Sequence, residues 1–150
     1  MEVFRISHES FSKKLTASGR ANRWNLDDQF TIYTGGSRSL SSLELIVHKN
    51  AISPASKYKV MVISIADEEN LFTYILQKDL PKAWRSMMAY PDLQALGSDW
   101  YVSKRSLVLK VPSAVMPKEY NYIINTQHPD FKSKVSLVRT KDYFWDDRLM

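Results

Sequence analysis

The sequence lacks cysteine altogether. That excludes disulfides, thiolate metal sites and a cysteine nucleophile. It has only four glycines and six prolines, too few for a long flexible hinge. With no internal repeat or low-complexity stretch, one domain spanning residues 1–150 is expected. No apolar run approaches the roughly 18 residues of a membrane-spanning helix. The opening "MEVFRISHES" lacks the cationic-then-apolar pattern of a secretory leader. The expectation is a cytoplasmic protein without membrane attachment. "FSKKL" and "YVSKR" are short and far apart, so no extended nucleic-acid stripe is expected. The three histidines, at positions 8, 48 and 128, form neither HExxH nor HxH, so no metal is expected. Neither the dinucleotide fingerprint nor the P-loop pattern occurs, and "TGG" at 34–36 is too short to replace them.

What is present is ordinary in bulk. Hydrophobic residues make up 44% and charged residues 25% of the 150. A chain of this length can bury a real core. The net charge of +5 favours anionic partners: nucleic acid, nucleotides or an acidic protein.

Local patterns mix strands and helices. Residues 2–7 alternate as a strand, and 9–16 suit a short helix. "GRANRWNLDDQ" reads as a loop, and "FTIYT" (30–34) as a strand. Residues 37–51 place Leu40, Leu43 and Val47 at helical spacing, with serines for an N-cap. Residues 58–66 carry the strongest strand signal. Residues 71–76 suit a strand or a short helix. Pro81 suits the first turn of a helix over 81–89, and a second helix is expected over 92–106 although it contains Gly97. Strands are expected at 107–111, 120–125, 134–139 and 142–146. No repeating βαβ order emerges, so the fold class is α+β, a compact mixed sheet with flanking helices.

One cluster stands out chemically. Ser41, Glu44 and His48 lie at i, i+3 and i+7, on one helix face. Glu44 has two readings. It lies at the floor of a cleft, or "SSLE" is a capping box in which it satisfies a backbone N–H. His48 taken alone reads as a structural or surface histidine. Arg23 precedes the strand bearing Tyr33, and its planar fork suits phosphate, although alone it also reads as a solvated charge. Trp24 reads as an aromatic wall or as core. Ser113 follows Pro112 and, without a G-x-S-x-G elbow, is a turn residue rather than a hydrolase nucleophile. His128, before Pro129, reads as a loop residue.

Taken together, "RANRWN…IYTGGSRSLSSLELIVH", "LVLKVPSAVMPKEYNYIINTQHPDF" and the terminal "FWDDRL" resemble the RES domain family. The resemblance runs from "VFRIS" to "FWDDRL". It implies a bacterial toxin with a fold related to the ADP-ribosyltransferase toxins and action on NAD. It also implies a helix-turn-helix antitoxin of the Xre type as partner. The family's Arg, Glu and Ser map to Arg23, Glu44 and Ser113, and its pocket tyrosine to Tyr33. Arg5 matches a further polar position lining the site, and His48, Asn121 and His128 match motif positions. Asn22 stands where the family usually has glycine, and Thr126 where "NP" before His is usual.

On that basis Glu44 is the residue expected to stabilise positive charge developing on the ribose as nicotinamide leaves. Arg23 would bind the diphosphate, Tyr33 the nicotinamide end, and Ser113 ribose or phosphate. The acceptor is open among water, phosphate and a protein side chain. The rival readings are an RNA-cleaving or nucleic-acid-binding toxin, and a pure interaction module.

Overall fold

The computed structural model describes residues 1–48, 57–144, 146 and 148. Its centre is one seven-stranded sheet in the order β4-β5-β6-β2-β1-β3-β7. The strands are β1 (Glu2–His8), β2 (Thr31–Gly35), β3 (Tyr58–Ile65), β4 (Phe72–Tyr74), β5 (Val108–Pro112), β6 (Tyr120–Asn125) and β7 (Val135–Asp142). β4 and β5 are parallel and every other pairing is antiparallel, so the sheet is mixed. The helices are α1 (Arg38–His48), α2 (Tyr90–Ser103) and the short α3 (Phe131–Lys134). Among the described residues no helix is long and apolar enough to cross a membrane.

The alternation of strand side chains divides the core. Val108 and Ile124 join Val3, Ile32, Met61 and Ile63 in one cluster. Their neighbours Leu109, Val111 and Ile123 point the other way and pack with Trp24, Trp84, Leu93 and Trp100. β3 is buried along Val60–Ile63, which explains its unbroken apolar run: it lies inside the sheet with both faces covered.

Several sequence expectations are corrected. Residues 9–16 form only a 3-10 turn at Glu9–Phe11, since Phe11 is exposed and gives a helix no face to bury. Residues 81–89 are turns ending in a 3-10 turn at Met87–Ala89, and α2 starts at Tyr90 with Pro91 in its first turn. The carbonyls of Trp84 and Arg85, which a helix would need, accept the Arg23 guanidinium instead, at 3.0 and 3.2 Å. Lys134 closes α3 rather than opening a strand, and β7 runs past 139 to Asp142. Tyr143 lies just past it, its N–H donating to the Tyr58 carbonyl at 3.2 Å, and positions 145 and 49–51 of the expected elements lie outside the described residues.

One irregularity positions everything that follows. β1 and β2 pair at a single register point, Phe4 with Gly35, and then part. α1 follows β2 and seals the opening. The Ser41 hydroxyl donates to the Phe4 carbonyl at 2.9 Å, replacing a ladder partner that a continued β2 would supply. Glycine at position 35 favours this approach, because a Cβ there would stand 2.7 Å from Ser41 Oγ.

Candidate functional site

The parting of β1 and β2 leaves a cleft in two lobes. The larger, about 260 Å3, is walled by Phe4, Arg5 and Ile6 of β1, Tyr33 to Gly35 of β2, and Ser41 and Leu45 of α1. The smaller, about 150 Å3, is walled by Arg23, Trp24, Val47, Arg85, Ala114 and Val115. Asn22, Tyr33, Glu44, His48 and Asn121 border both.

Glu44 stands at the junction, with its side chain one-fifth exposed. α1 presents it because Ser37, not Ser41, caps the helix: Ser37 Oγ accepts the Leu40 N–H at 3.0 Å. The capping-box reading of "SSLE" is therefore corrected, since Glu44 lies in the second turn and faces the cleft. The expected apolar stripe is corrected with it. Leu40, Ser41 and Leu45 are buried, whereas Val47 is 56% exposed at the rim of the smaller lobe.

Three side chains hold the carboxylate. Asn121 Nδ2 donates to Oε1 at 2.8 Å, Ser113 Oγ donates to the same oxygen at 3.0 Å, and His48 Nε2 lies 3.2 Å from Oε2. Asn121 and Ser113 reach it from adjacent strands, β6 and the end of β5, whose pairing sets Val111 opposite Asn121. Ser113 is itself locked as a turn residue, its Oγ accepting the N–H groups of Val115 and Met116 at 3.0 and 3.1 Å. Burial pushes the Glu44 carboxyl up, but the hydrogen bonds from His48, Asn121 and Ser113 outweigh it, and the pKa lies below the ordinary value. The group is therefore a carboxylate at neutral pH. Its Oε1 already accepts two hydrogen bonds, while Oε2 retains acceptor capacity toward the cleft.

A guanidinium lies on each side. Arg5, in the larger lobe, donates from Nη1 to the Thr16 carbonyl at 3.1 Å. Burial lowers its pKa, yet arginine stays charged at neutral pH. Arg23, in the smaller lobe, spans the carbonyls of residues 84 and 85 and lies 4.8 Å from the centre of the Tyr90 ring. Among the described residues neither arginine forms an ion pair. Guanidinium groups in a cleft without carboxylate partners make it receptive to an anion.

Tyr33 borders both lobes with its hydroxyl already engaged. It accepts the Trp24 N–H at 3.0 Å and donates to Asn25 Oδ1 at 2.6 Å. Burial raises its pKa far above the ordinary phenol value, so it stays neutral. It offers a ligand its ring, while its hydroxyl braces the turn carrying Arg23. Trp24 is both core and wall: it is 2% exposed and lines the smaller lobe. His128 lies outside both lobes and caps its own loop, Nδ1 accepting the Asp130 N–H at 3.1 Å. Sequence reasoning passed over Asn25 and Arg85. Asn25 is 1% exposed and ties the turn together through bonds to the Arg20 and Leu26 carbonyls. Arg85 stacks on Trp84. Neither has a distinguishing sequence signal. No cluster of three or more metal-ligating side chains occurs among the described residues.

Comparison with known proteins places this geometry in context. The family model described as the RES domain matches residues 2–146. A protein of Yersinia enterocolitica named Toxin Res is 34% identical over 127 residues, covering 85% of this chain and 82% of that protein. The Prs ADP-ribosylating toxin of a Sphingobium species is 32% identical over 130 residues, covering 85% and 80%. Among solved structures, the M. tuberculosis MbcT–MbcA toxin-antitoxin complex contains a chain of the same fold. Its TM-score is 0.74 at 18% identity, with 95% of this chain and 83% of that one covered.

Proposed function

The chain belongs to the RES domain family, and on that premise we propose that it is the toxin of a toxin–antitoxin pair and destroys NAD by breaking its nicotinamide–ribose bond. The observation that carries the reading is the Glu44 carboxyl, held from three sides at the junction of two lobes that each contain an arginine without a carboxylate partner among the described residues.

NAD suits such a cleft chemically. Its nicotinamide leaves as a neutral molecule: the C1′–N bond breaks, the electron pair stays on the ring nitrogen, and no proton donor is needed. The barrier lies in the positive charge left on the ribose. A carboxylate fixed beside that carbon lowers it without reorganising. Glu44 Oε2 has room for a ribose hydroxyl, and Ser113 and Asn121 prevent the acid from rotating away. Arg23 binds the diphosphate, and Arg5 adds positive charge on the opposite side. The Tyr33 ring packs on the nicotinamide end, and His48 steadies Oε2. The acceptor then forms a bond to C1′ and loses its proton.

Water or phosphate as acceptor gives NAD degradation, the reading we favour. A protein side chain as acceptor gives ADP-ribosylation, and the name of the Sphingobium relative supports that second reading. The partner in this scheme is an antitoxin, of the helix-turn-helix Xre type, that covers the cleft. Incubating the purified protein with NAD, with and without phosphate and a cell extract, and identifying every product tests the proposal. Free nicotinamide is expected, with ADP-ribose, its phosphate or a labelled protein distinguishing the acceptors. Intact NAD in all arms overturns the enzyme reading. A salt-sensitive shift of RNA or DNA by the chain, unaffected by Arg23→Ala, would turn attention to the nucleic-acid rival.

A further inference from the structure

Gly97 is an oddity of α2. It sits in the middle of a helix, where glycine is less favourable than alanine, and its backbone has no left-handed geometry to justify it. Space explains it. A Cβ at position 97 would lie 1.7 Å from the Trp24 carbonyl oxygen and 2.7 Å from its carbonyl carbon. Those atoms are main chain, so no side-chain rotation relieves the clash. The helix backbone therefore rests directly on the turn that carries Arg23.

The rest of that helix face grips the same turn. Gln94 Nε2 donates to the Asn22 carbonyl at 2.9 Å. Ser98 Oγ accepts from Gln29 at 2.7 Å, and the Tyr101 hydroxyl accepts the Phe30 N–H at 3.1 Å. Tyr90 lies under the Arg23 guanidinium. Positions 90, 94, 97, 98 and 101 recur at helical spacing. None of them lines either lobe, and only their effect on the 22–30 turn connects them with the cleft.

We propose that Gly97 is a positioning residue that sets the reach of Arg23, with α2 acting as a template for the phosphate-gripping turn. The inference rests on the reading that Arg23 binds the diphosphate of NAD. Adding one methyl at 97 displaces the 22–25 turn from α2 and carries the guanidinium out of register, while α1 and β6 keep Glu44 in place. The effect therefore falls on substrate binding more than on the chemical step.

The test is Gly97→Ala, alone and combined with Arg23→Ala, read by melting, amide exchange and NAD kinetics. The single variant is expected to melt cooperatively and to exchange its 22–25 amides faster, with those of α1 and β6 unchanged. The KM for NAD is expected to rise about tenfold or more and kcat to change by less than about threefold. On the Arg23→Ala background the same substitution should add nothing. An unchanged KM, or an equal rise in both backgrounds, overturns the proposal. If Gly97→Ala does not fold, Gln94→Ala replaces it, removing only the bond to the Asn22 carbonyl. A smaller KM rise that disappears without Arg23 supports the proposal, and no rise overturns it. Should the native chain leave NAD intact, the exchange measurement separates the two failures. Faster exchange confined to 22–25 upholds the template, while the NAD reading falls alone.

Discussion

The two halves of the cleft are built by different means. Around Glu44 the construction is polar: Ser113 from the turn after β5, Asn121 from β6 and His48 from α1 converge on one carboxylate. Around Arg23 it is largely steric and main-chain: Gly97 admits Trp24, Tyr33 and Asn25 tie the turn, and the carbonyls of residues 84 and 85 hold the guanidinium. A network of side chains shares its load, so removing one partner weakens it and changes its titration. A main-chain contact has no slack and answers to size. The Glu44 side should thus respond to chemistry and pH, and the Arg23 side to volume.

The largest effect expected is from Glu44→Gln, which keeps shape and removes charge. Loss of about 3 kcal/mol of transition-state stabilisation slows NAD cleavage by on the order of a hundredfold, with KM little changed. Turnover of the purified variant, alongside circular dichroism to verify folding, checks this. Arg23→Ala comes next. It should raise KM about tenfold or more by removing the phosphate grip, and adding salt should weaken binding to the native chain more than to the variant. An Arg23→Ala enzyme with native KM would mean that the smaller lobe does not take the diphosphate.

Asn121→Ala sharpens the contrast through pH. The folded Glu44 pKa lies below the unfolded value because its hydrogen bonds favour the charged form. Its contribution to stability is accordingly present above the unfolded pKa and is lost as pH falls through the folded one. Removing Asn121 brings the folded value upward. The acid limb of the activity profile and the acid unfolding midpoint should both move to higher pH, while Arg23→Ala leaves that limb in place. A pH series of rate and melting temperature on both variants decides it. The smallest effect expected is from Gly35→Ala, whose new methyl would meet the flexible Ser41 hydroxyl and strain its bond to Phe4. A loss of about 1–2 kcal/mol in denaturant unfolding is expected, well short of abolishing the fold.

The same contrast governs what could be read before the structure. Periodicity alone put Ser41, Glu44 and His48 on one helix face, and all three border the cleft. Residues 58–66 carried the strongest strand signal, and Tyr58–Ile65 form β3, buried along Val60–Ile63. Nothing local brings Ser113 or Asn121 to Glu44, because β5–β6 pairing does it across 69 and 77 residues. Their place rested on resemblance to a family. Residues 81–89 looked helical because Pro81 suits the first turn of a helix. A guanidinium 61 residues away takes the carbonyls instead, and local propensity carries no trace of it. Gly97 reads locally as a flaw in a helix; only the main chain of Trp24 explains it.

The central claim is that one NAD molecule lies across the Glu44 junction with its anomeric carbon beside the carboxylate. A crystal structure of the native chain with a non-cleavable NAD analogue tests it most directly. The account predicts the nicotinamide-bearing sugar against Glu44 Oε2, with a hydroxyl on that oxygen and the diphosphate on Arg23. An analogue bound with that sugar away from Glu44, or seated outside both lobes, would contradict it.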